Sequence, residues 1–333
     1  MIQNDRENLV VVRNLQKLFP VKAGFFGKAR SFVHAVDDVS FSIKKGQTMG
    51  LVGESGCGKT TIGRLVLRLL EKTSGEVEFK GKNIFNLNKL EQKQFRREAQ
   101  LIFQDAFSSF DLRKCVGDIV GEPLKVHGLA SGSELTDRVA DLLKTVGLKP
   151  ELMREFPHTL SSGQKQCVGM ARSIALNPEF VVADEPISAL DVSVRAQVLN
   201  LLKDLQEEKD LTYLFISHDI RVVRWLATHI AVMYLGKLVE YAETEELFIQ
   251  RHHPYTEALL NAVPVEDPFQ RRERKILLGE VPSPVDPVPG CRFQPRCEYA
   301  VDRCRLETPP LVEKSPGHWV ACFVDFHGAG DFS

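Results

Sequence analysis

The chain has 333 residues, enough for one large domain or two modest domains with a sizeable core. Its 43 Lys and Arg residues balance 44 Asp and Glu residues, so the charge gives no general reason to expect nucleic-acid binding. Residues 3–8 are polar, unlike a signal peptide, and no apolar run is long enough to span a bilayer, so we expect any membrane role to come through a partner.

The predicted elements alternate between strands and helices along most of the chain. Short apolar or alternating runs predict strands at residues 9–12, 35–43, 48–52, 75–81, 101–103, 180–184, 211–217, 230–234 and 237–240. Apolar residues at helical spacing predict helices at residues 62–70, 90–99, 164–176, 192–208 and 221–227, with a helical insert at about 108–159. This alternation predicts an α/β fold with a largely parallel sheet, ending in a possible hairpin across Leu235 and Gly236.

A glycine-rich loop joins the predicted strand 48–52 to the helix that follows. Gly53, Gly58, Lys59 and Thr60 match the pattern G-x-x-x-x-G-K-[ST] in the strand–loop–helix context that gives it meaning. The glycines allow backbone N–H groups to face a phosphate chain, and the helix start attracts the same anion. Lys59 would reach the terminal phosphates and the Thr60 hydroxyl would hold Mg²⁺, whereas the alternative is a simple turn with a surface lysine. The predicted phosphate-binding residues are Gly53, Glu54, Ser55, Gly56, Cys57, Gly58, Lys59, Thr60 and Thr61.

Two adjacent carboxylates, Asp184 and Glu185, stand at the end of the apolar strand 180–184. A carboxylate there can hold Mg²⁺ beside the phosphates, and the next one can polarise an attacking water. Taken alone, the pair fits a solvated strand end equally well. The phosphate-binding loop earlier in the chain favours the catalytic interpretation.

Residues 160–164 read Leu-Ser-Ser-Gly-Gln and precede a predicted helix. Ser161 is predicted to cap this helix, whose first N–H groups would suit a second anion contact. By itself the stretch is only a helix cap.

The order of these three motifs resembles the ATP-binding-cassette (ABC) ATPase family over about residues 9–240. Residues 160–164 are similar to the family signature LSGGQ, with Ser162 in place of a glycine. The resemblance implies a P-loop NTPase (RecA-like) cassette with an antiparallel β subdomain and a helical subdomain at about 105–160. It also implies ATP and Mg²⁺ as cofactors.

The resemblance assigns roles to individual residues. Gln104 matches the Q-loop, residues 188–191 match the D-loop, and His218 matches the switch histidine. It implies that Glu185, His218, Gln104 and Lys59 are catalytic. It implies that Mg²⁺ is held by Thr60, Gln104 and Asp184. Further nucleotide contacts would come from Ser161, Ser162, Gly163, Gln164 and Asp191. Phe19 would stack on adenine. The alternatives are that Phe19 packs in the core, or that Phe25 or Phe26 stacks on adenine instead.

Residues 183–202 and 253–260 resemble the oligopeptide/dipeptide branch of ABC importers, with Ala106 and Cys167 departing from the residues usual there. The branch implies an ATPase domain at 1–240, an extension at 241–333, and a position at the cytoplasmic face of the membrane. Implied partners are a second, related ATPase, two membrane-spanning permease subunits and an extracellular or periplasmic solute-binding protein. The alternatives are an importer for nickel or sugar oligomers, and a soluble ABC protein acting in translation or DNA repair.

The seven cysteines fall into two groups. Cys57, Cys115 and Cys167 are scattered, as expected of reduced thiols. Four others follow a proline-rich stretch at 281–290, with five, six and seventeen residues between them, and they are Cys291, Cys297, Cys304 and Cys322.

A metal centre explains this second group better than disulfides do in a reducing compartment. The spacing lacks C-x-x-C pairs and fits a zinc ribbon poorly, whereas a four-cysteine iron–sulfur cluster is chemically reasonable. The segment is similar to the tail of peptide-importer ATPases, some of which carry a [4Fe–4S] cluster. The alternatives are four thiols or an adventitious zinc site. His318 is a possible substitute ligand, but we expect it at the surface.

Overall fold

The structure is a computed structural model that describes residues 7–21, 31–262, 279–326 and 328–329. The strands are β1 (Asn8–Val21), β2 (Ser31–Lys44), β3 (Thr48–Val52), β4 (Ser74–Phe79), β5 (Lys82–Asn83), β6 (Ala99–Ile102), β7 (Phe180–Asp184), β8 (Thr212–Ser217), β9 (His229–Tyr234), β10 (Lys237–Glu243), β11 (Gln250–Arg251), β12 (Val312–Ser315), β13 (His318–Val320) and β14 (Gly328–Ala329). The α-helices are α1 (Lys59–Val66), α2 (Lys89–Glu98), α3 (Val116–Val126), α4 (Gly132–Thr145), α5 (Ser162–Ile174), α6 (Val192–Lys209), α7 (Ile220–Leu226), α8 (Thr244–Ile249), α9 (Pro254–Asn261) and α10 (Asp302–Leu306).

The chain forms two compact units, each assembled from separate segments. The first unit comprises residues 1–42, 48–81 and 216–333, and the second comprises residues 43–47 and 82–215. The glycine-rich loop and the cysteine segment therefore belong to the same unit, although more than 200 residues separate them in sequence.

In the first unit, strands from distant parts of the chain lie side by side. One run of neighbouring strands is β12-β13-β10-β9-β3, and another is β2-β1-β4. The central pair, β3 and β9, is parallel, with Leu51 opposite Ala231, and both side chains are fully buried. The predicted hairpin is confirmed, because β9 and β10 pair antiparallel across Leu235 and Gly236, which both adopt a positive φ.

In the second unit, strands β8, β7 and β6 are neighbours, and β6 runs parallel to β7. All five residues of β7 are buried, as expected of a strand covered on both faces. Helices α3 and α4 lie within residues 108–159, where the sequence predicts helical structure. An apolar cluster that joins this insert to the end of α5 is formed by Leu124, Ala130, Ala175 and Leu176, with Leu129, Leu135 and Leu142 packed against it.

Some boundaries differ from the sequence predictions. The helix after the glycine-rich loop ends at Val66 instead of residue 70, because Arg68 takes a left-handed backbone conformation with φ 49°. The strand predicted at 9–12 continues to Val21. Pairing with β4 resumes at Gln16 after a register shift, so hydrogen bonds to a partner extend a strand that the polar sequence alone would end.

The surface position predicted for His318 is wrong. Its side chain is fully buried in β13, and Nε2 lies 2.8 Å from Oε1 of Glu240, which is also fully buried. A carboxylate partner makes burial of the imidazole tolerable. Among the described residues, none of the helices has the length and apolar character needed to cross a membrane.

Candidate functional site

The glycine-rich loop connects β3 to α1 and has backbone geometry that excludes side chains. Gly53 and Gly58 both have positive φ, 153° and 111°. A Cβ atom at Gly53 would overlap the carbonyl oxygen of Met233, and one at Gly58 would overlap that of Ala35. These two positions therefore require glycine for space as well as for conformation.

Lys59 is the first residue of α1, and its side chain folds back over the loop. Its Nζ donates hydrogen bonds to the carbonyl oxygens of Gly53, at 2.7 Å, and Glu54, at 3.0 Å. Gly58, at the N-cap, offers no side chain to the first N–H groups of α1, so the helix start is suited to an anion. Thr60 follows as the second helical residue. The loop thus places a buried ammonium group and a helix N-terminus together, which is what binding a phosphate chain requires.

Cys57 lies inside this loop as a buried thiol, with Sγ 3.7 Å from Nζ of Lys59. Burial raises its pKa, and the nearby Lys59 opposes this shift only in part. The thiol therefore stays protonated and packs as a small apolar group instead of acting as a nucleophile.

In the second unit, the predicted catalytic carboxylates stand at the carboxyl end of β7. Asp184 is its last residue and is buried. Glu185 follows with a left-handed backbone, φ 46°, which is uncommon for a residue with a side chain. Nε2 of Gln104 donates a hydrogen bond of 3.1 Å to Oε2 of Glu185. The structure thus brings together two predicted site residues that are 81 positions apart in sequence.

The stretch at 160–164 forms the start of α5. The predicted cap is confirmed, because Oγ of Ser161 accepts from the N–H of Gln164 while the Gln164 side chain accepts from the N–H of Ser161. Ser162 is the first helical residue, so a serine there meets no left-handed backbone. A Cβ at Gly163 would lie 2.7 Å from Val194, which follows Asp191, the N-cap residue of α6.

The remaining predicted residues are in less enclosed places. His218 is exposed just after β8, and the side chain of Asp219 caps the following helix α7. Phe19 is half-buried near the end of β1, with Nζ of Lys17 4.9 Å from its ring centre. Phe25 and Phe26 lie outside the described residues.

Comparison with known proteins shows the family to which the chain belongs. A family model described as "ABC transporter" matches residues 36–188, and one described as "Oligopeptide/dipeptide transporter, C-terminal region" matches residues 239–304. The oligopeptide transport ATP-binding protein AppF of Bacillus subtilis is 46% identical over 327 residues, covering 97% of this chain and 99% of that protein. The chain belongs to the ATP-binding subunits of the oligopeptide/dipeptide ABC transporter family.

Further comparisons agree with this membership. The putative oligopeptide transport ATP-binding protein YkfD of Bacillus subtilis is 50% identical over 301 residues, covering 90% of this ABC ATPase and 91% of that protein. The ATP-binding cassette MJ0796, solved as a dimer in a post-hydrolysis state bound to ADP and Pi, is 28% identical, with a TM-score of 0.63 over 71% of this chain and 98% of that one. The fold is shared by cbiO1 from Clostridium perfringens at 24% identity, with a TM-score of 0.62 over 73% of this chain and 91% of that one. The predicted ABC ATPase fold and ATP-hydrolysing activity are confirmed.

The cysteine segment of this ABC ATPase folds back on itself. The N–H of Cys291 donates to the carbonyl oxygen of Cys304 at 2.8 Å. Burial, followed by the influence of the other thiols, raises the pKa of Cys297 and of Cys322 to about 11. Within the described part of the chain, no three His, Cys, Asp or Glu side chains are arranged to hold a metal ion.

Three residues that the sequence did not single out contact the phosphate-binding loop or its neighbours. Tyr255 and Arg296 both contact Glu54, and Tyr234 lies beside them. The run at 253–260 was informative about family but gave no role to Tyr255. Arg296 stands between two cysteines without any recognisable pattern, so only the fold could reveal it.

Proposed function

We propose that this ABC ATPase drives the import of di- or oligopeptides. The family membership supports the motor role, and the relatives named above as oligopeptide transport proteins support the peptide substrate. Because the ATPase does not contact the solute, nickel or sugar oligomers are the alternative cargo. Peptide uptake that is lost on deletion of this chain and restored by its return would support the proposal, whereas loss of nickel or sugar uptake alone would refute it.

The observation that carries the catalytic assignment is the hydrogen bond between Gln104 and Glu185. It holds one oxygen of the carboxylate at a fixed point beside the buried Asp184. In the proposed reaction Glu185 accepts a proton from the attacking water, and Gln104 orients that water. Asp184, with Gln104 and Thr60, holds Mg²⁺ in this proposal.

The other proposed roles follow the motifs. Lys59 neutralises charge on the terminal phosphates, and His218 stabilises the phosphate that is transferred to water. Phe19 is proposed to stack on adenine. Residues 161–164 and Asp191 are proposed to contact nucleotide held by a second ATPase, since this chain has one phosphate-binding loop and one signature stretch.

The catalytic assignment is tested by Glu185→Gln, which keeps the shape and the amide-compatible hydrogen bonding of the site but removes the base. We expect ATP affinity to persist and hydrolysis to fall about 100-fold or more, the usual contribution of a general base. Glu207→Gln, an exposed change on α6, serves as the matched control and should leave turnover unaltered. Full turnover by Glu185→Gln would remove this residue from the role.

We further propose that the active motor contains a second, related ATPase, two permease subunits and a solute-binding protein, and that it lies at the cytoplasmic face of the membrane. ATP closes the pair of ATPases, and hydrolysis reopens it. Co-purification with polytopic membrane proteins tests this arrangement. Co-purification with ribosomes or DNA instead would favour a soluble ABC protein and contradict it.

We propose a [4Fe–4S] cluster on Cys291, Cys297, Cys304 and Cys322. The hydrogen bond of 2.8 Å from the N–H of Cys291 to the carbonyl oxygen of Cys304 supports it, because it brings two of these cysteines together. The lack of a metal-holding group in the described residues counts against a compact single-ion site such as zinc. A cluster binds each cysteine at a different iron, so its ligands do not converge on one point. When bound, such a cluster would supply electron-accepting or structural chemistry and would keep the thiols deprotonated.

Anaerobic purification tests the cluster directly. Brownish protein with about four irons per chain, lost in Cys297→Ser but kept in Cys115→Ser, is the expected result. Colourless, iron-free protein would refute the proposal.

A further inference from the structure

The second residue of the phosphate-binding loop, Glu54, is held on three sides. Lys59 donates a hydrogen bond to the carbonyl oxygen of Glu54, and the N–H of Glu54 donates one to the hydroxyl of Tyr255 at 2.9 Å. Its carboxylate receives two hydrogen bonds from Arg296, with Nη1 at 2.7 Å from Oε2 and Nη2 at 3.1 Å from Oε1. Both Tyr255 and Arg296 come from the C-terminal region, more than 200 residues from the loop.

The pair between Arg296 and Glu54 is unlike the exposed ion pairs elsewhere in the chain. It is bidentate, a geometry that fixes direction as well as charge. The side chain of Arg296 is 6% exposed and that of Glu54 is 27% exposed, so water screens the pair only in part. The hydrogen bonds to Glu54 raise the pKa of Arg296 above its ordinary value.

An aromatic cluster of Tyr234, Tyr255 and Phe293 fixes both contacts in place. The ring centres of Tyr234 and Tyr255 are 4.7 Å apart, and Phe293 lies 5.3 Å from the first and 5.4 Å from the second. The guanidinium carbon of Arg296 lies 6.0 Å from the Tyr234 ring centre. Because these rings are buried and Tyr234 packs edge to face with the other two, the Tyr255 hydroxyl and the Arg296 side chain have little freedom to turn away from the loop.

The charge of Glu54 would oppose the function of its own loop. ATP presents several negative charges to the backbone that follows Glu54, and an unpaired carboxylate on that backbone would repel them. A guanidinium that neutralises the carboxylate and draws it toward the C-terminal region removes this conflict. The Tyr255 hydroxyl adds a constraint on the backbone, because it commits the N–H of Glu54 to one direction.

We propose that Arg296 and Tyr255 are positioning residues for ATP binding, which act by holding Glu54 neutralised and oriented within the phosphate-binding loop. This gives the C-terminal region of the ATPase a direct part in nucleotide affinity. It goes beyond the family membership, which assigns nucleotide contacts to the cassette motifs alone.

The test is a double-mutant cycle on the full chain, with Mg-ATP affinity and the kinetic constants as readouts. Arg296→Gln is expected to weaken Mg-ATP binding about tenfold and to raise KM with kcat largely retained, because it leaves the Glu54 carboxylate unpaired. Added salt should reduce the defect. Adding Glu54→Gln to Arg296→Gln should restore most of the lost affinity, because no unpaired carboxylate then remains on the loop.

Rescue by Glu54→Gln separates positioning from folding. If Arg296 only stabilised the cysteine segment, removing the carboxylate of Glu54 would not restore affinity. The matched control is Arg303→Gln, which breaks an exposed ion pair with Glu307 in the same segment and should leave ATP affinity unchanged. Iron content is measured on every variant, since Arg296 adjoins Cys297. A double variant as weak as Arg296→Gln, or an equal defect in Arg303→Gln, would overturn the proposal.

Tyr255→Phe tests the second contact. It keeps the ring in the aromatic cluster and removes only the acceptor for the N–H of Glu54. We expect ATP affinity to fall about threefold to tenfold, with a thermal midpoint close to that of the wild type. Unchanged affinity in this variant would remove Tyr255 from the role.

Discussion

Gly58 shows how much a single position in the phosphate-binding loop is constrained. Its φ of 111° and the overlap that a Cβ would make with the carbonyl oxygen of Ala35 are separate penalties. A left-handed backbone with a side chain costs about 1–2 kcal/mol, and the overlap must be relieved by moving the backbone of β2 or of the loop. The position is therefore fixed by space and by conformation at once.

We predict that Gly58→Ala weakens Mg-ATP binding by tenfold or more, since about 1.4 kcal/mol of distortion already gives a factor of ten. Titration of the purified variant with a fluorescent ATP analogue measures the loss. Gly81→Ala is the matched control, because Gly81 also has a positive φ of 73° but a Cβ there would meet no atom within 4 Å. Its ATP affinity should equal that of the wild type. Equal losses in both variants would show that strain alone, and not the shape of the loop, sets the affinity.

At the scale of a single element, α9 is capped at its N-terminus by a neutral histidine, His253. The ring of His253 is buried, and its Nδ1 accepts a hydrogen bond from the N–H of Tyr255. Burial lowers the pKa of His253 to about 4, although the charge of Glu240 acts in the opposite direction. The neutral imidazole therefore caps α9 as a hydrogen-bond acceptor over the whole physiological pH range.

This capping predicts a loss of stability in acid. Below the ordinary histidine pKa of about 6.5 the unfolded chain binds a proton that the folded chain refuses, so the free energy of unfolding falls as pH falls toward 4. Between about pH 6.5 and pH 5 the contribution of His253 is on the order of 2 kcal/mol. Denaturant unfolding across this range should show a shallower pH dependence in His253→Asn, whose side chain can still cap α9. His158→Asn, at an exposed ring, is the control, and an identical slope in all three proteins would contradict the prediction.

Elements whose signals are local were predictable from the sequence. The strand–loop–helix at Gly53, the cap at Ser161 and the hairpin at Gly236 each depend on a few neighbouring residues, and the structure confirms them. The burial of His318 was not predictable, because it depends on Glu240, 78 residues away. The contact of Arg296 with Glu54 spans 242 residues, and no local pattern carries information over such a distance.

At the scale of the whole molecule, the phosphate-binding loop and the C-terminal region share one compact unit. Residues 48–81 and 216–333 fold together, so free energy gained by binding nucleotide at the loop stabilises contacts far along the chain. A ligand that binds only the folded state at 100 times its Kd adds about 2.7 kcal/mol to stability. Lys59 is the best residue at which to test this stabilisation. Its buried Nζ donates hydrogen bonds to the loop carbonyls and is proposed to contact the phosphates.

We predict that Mg-ATP raises the thermal midpoint of the wild type and of the control Lys89→Ala, an exposed change, but not of Lys59→Ala.

Hydrogen exchange should then show which parts of the chain nucleotide binding stabilises. Amides of α9 and of the segment 294–296 should become better protected when Mg-ATP binds, because Tyr255 and Arg296 hold the loop from these two elements. Protection confined to the loop and α1 would mean that the C-terminal region does not sense the nucleotide. Protection that reaches α9 in the wild type but not in Arg296→Gln would show that the side chain of Arg296 transmits the stabilisation.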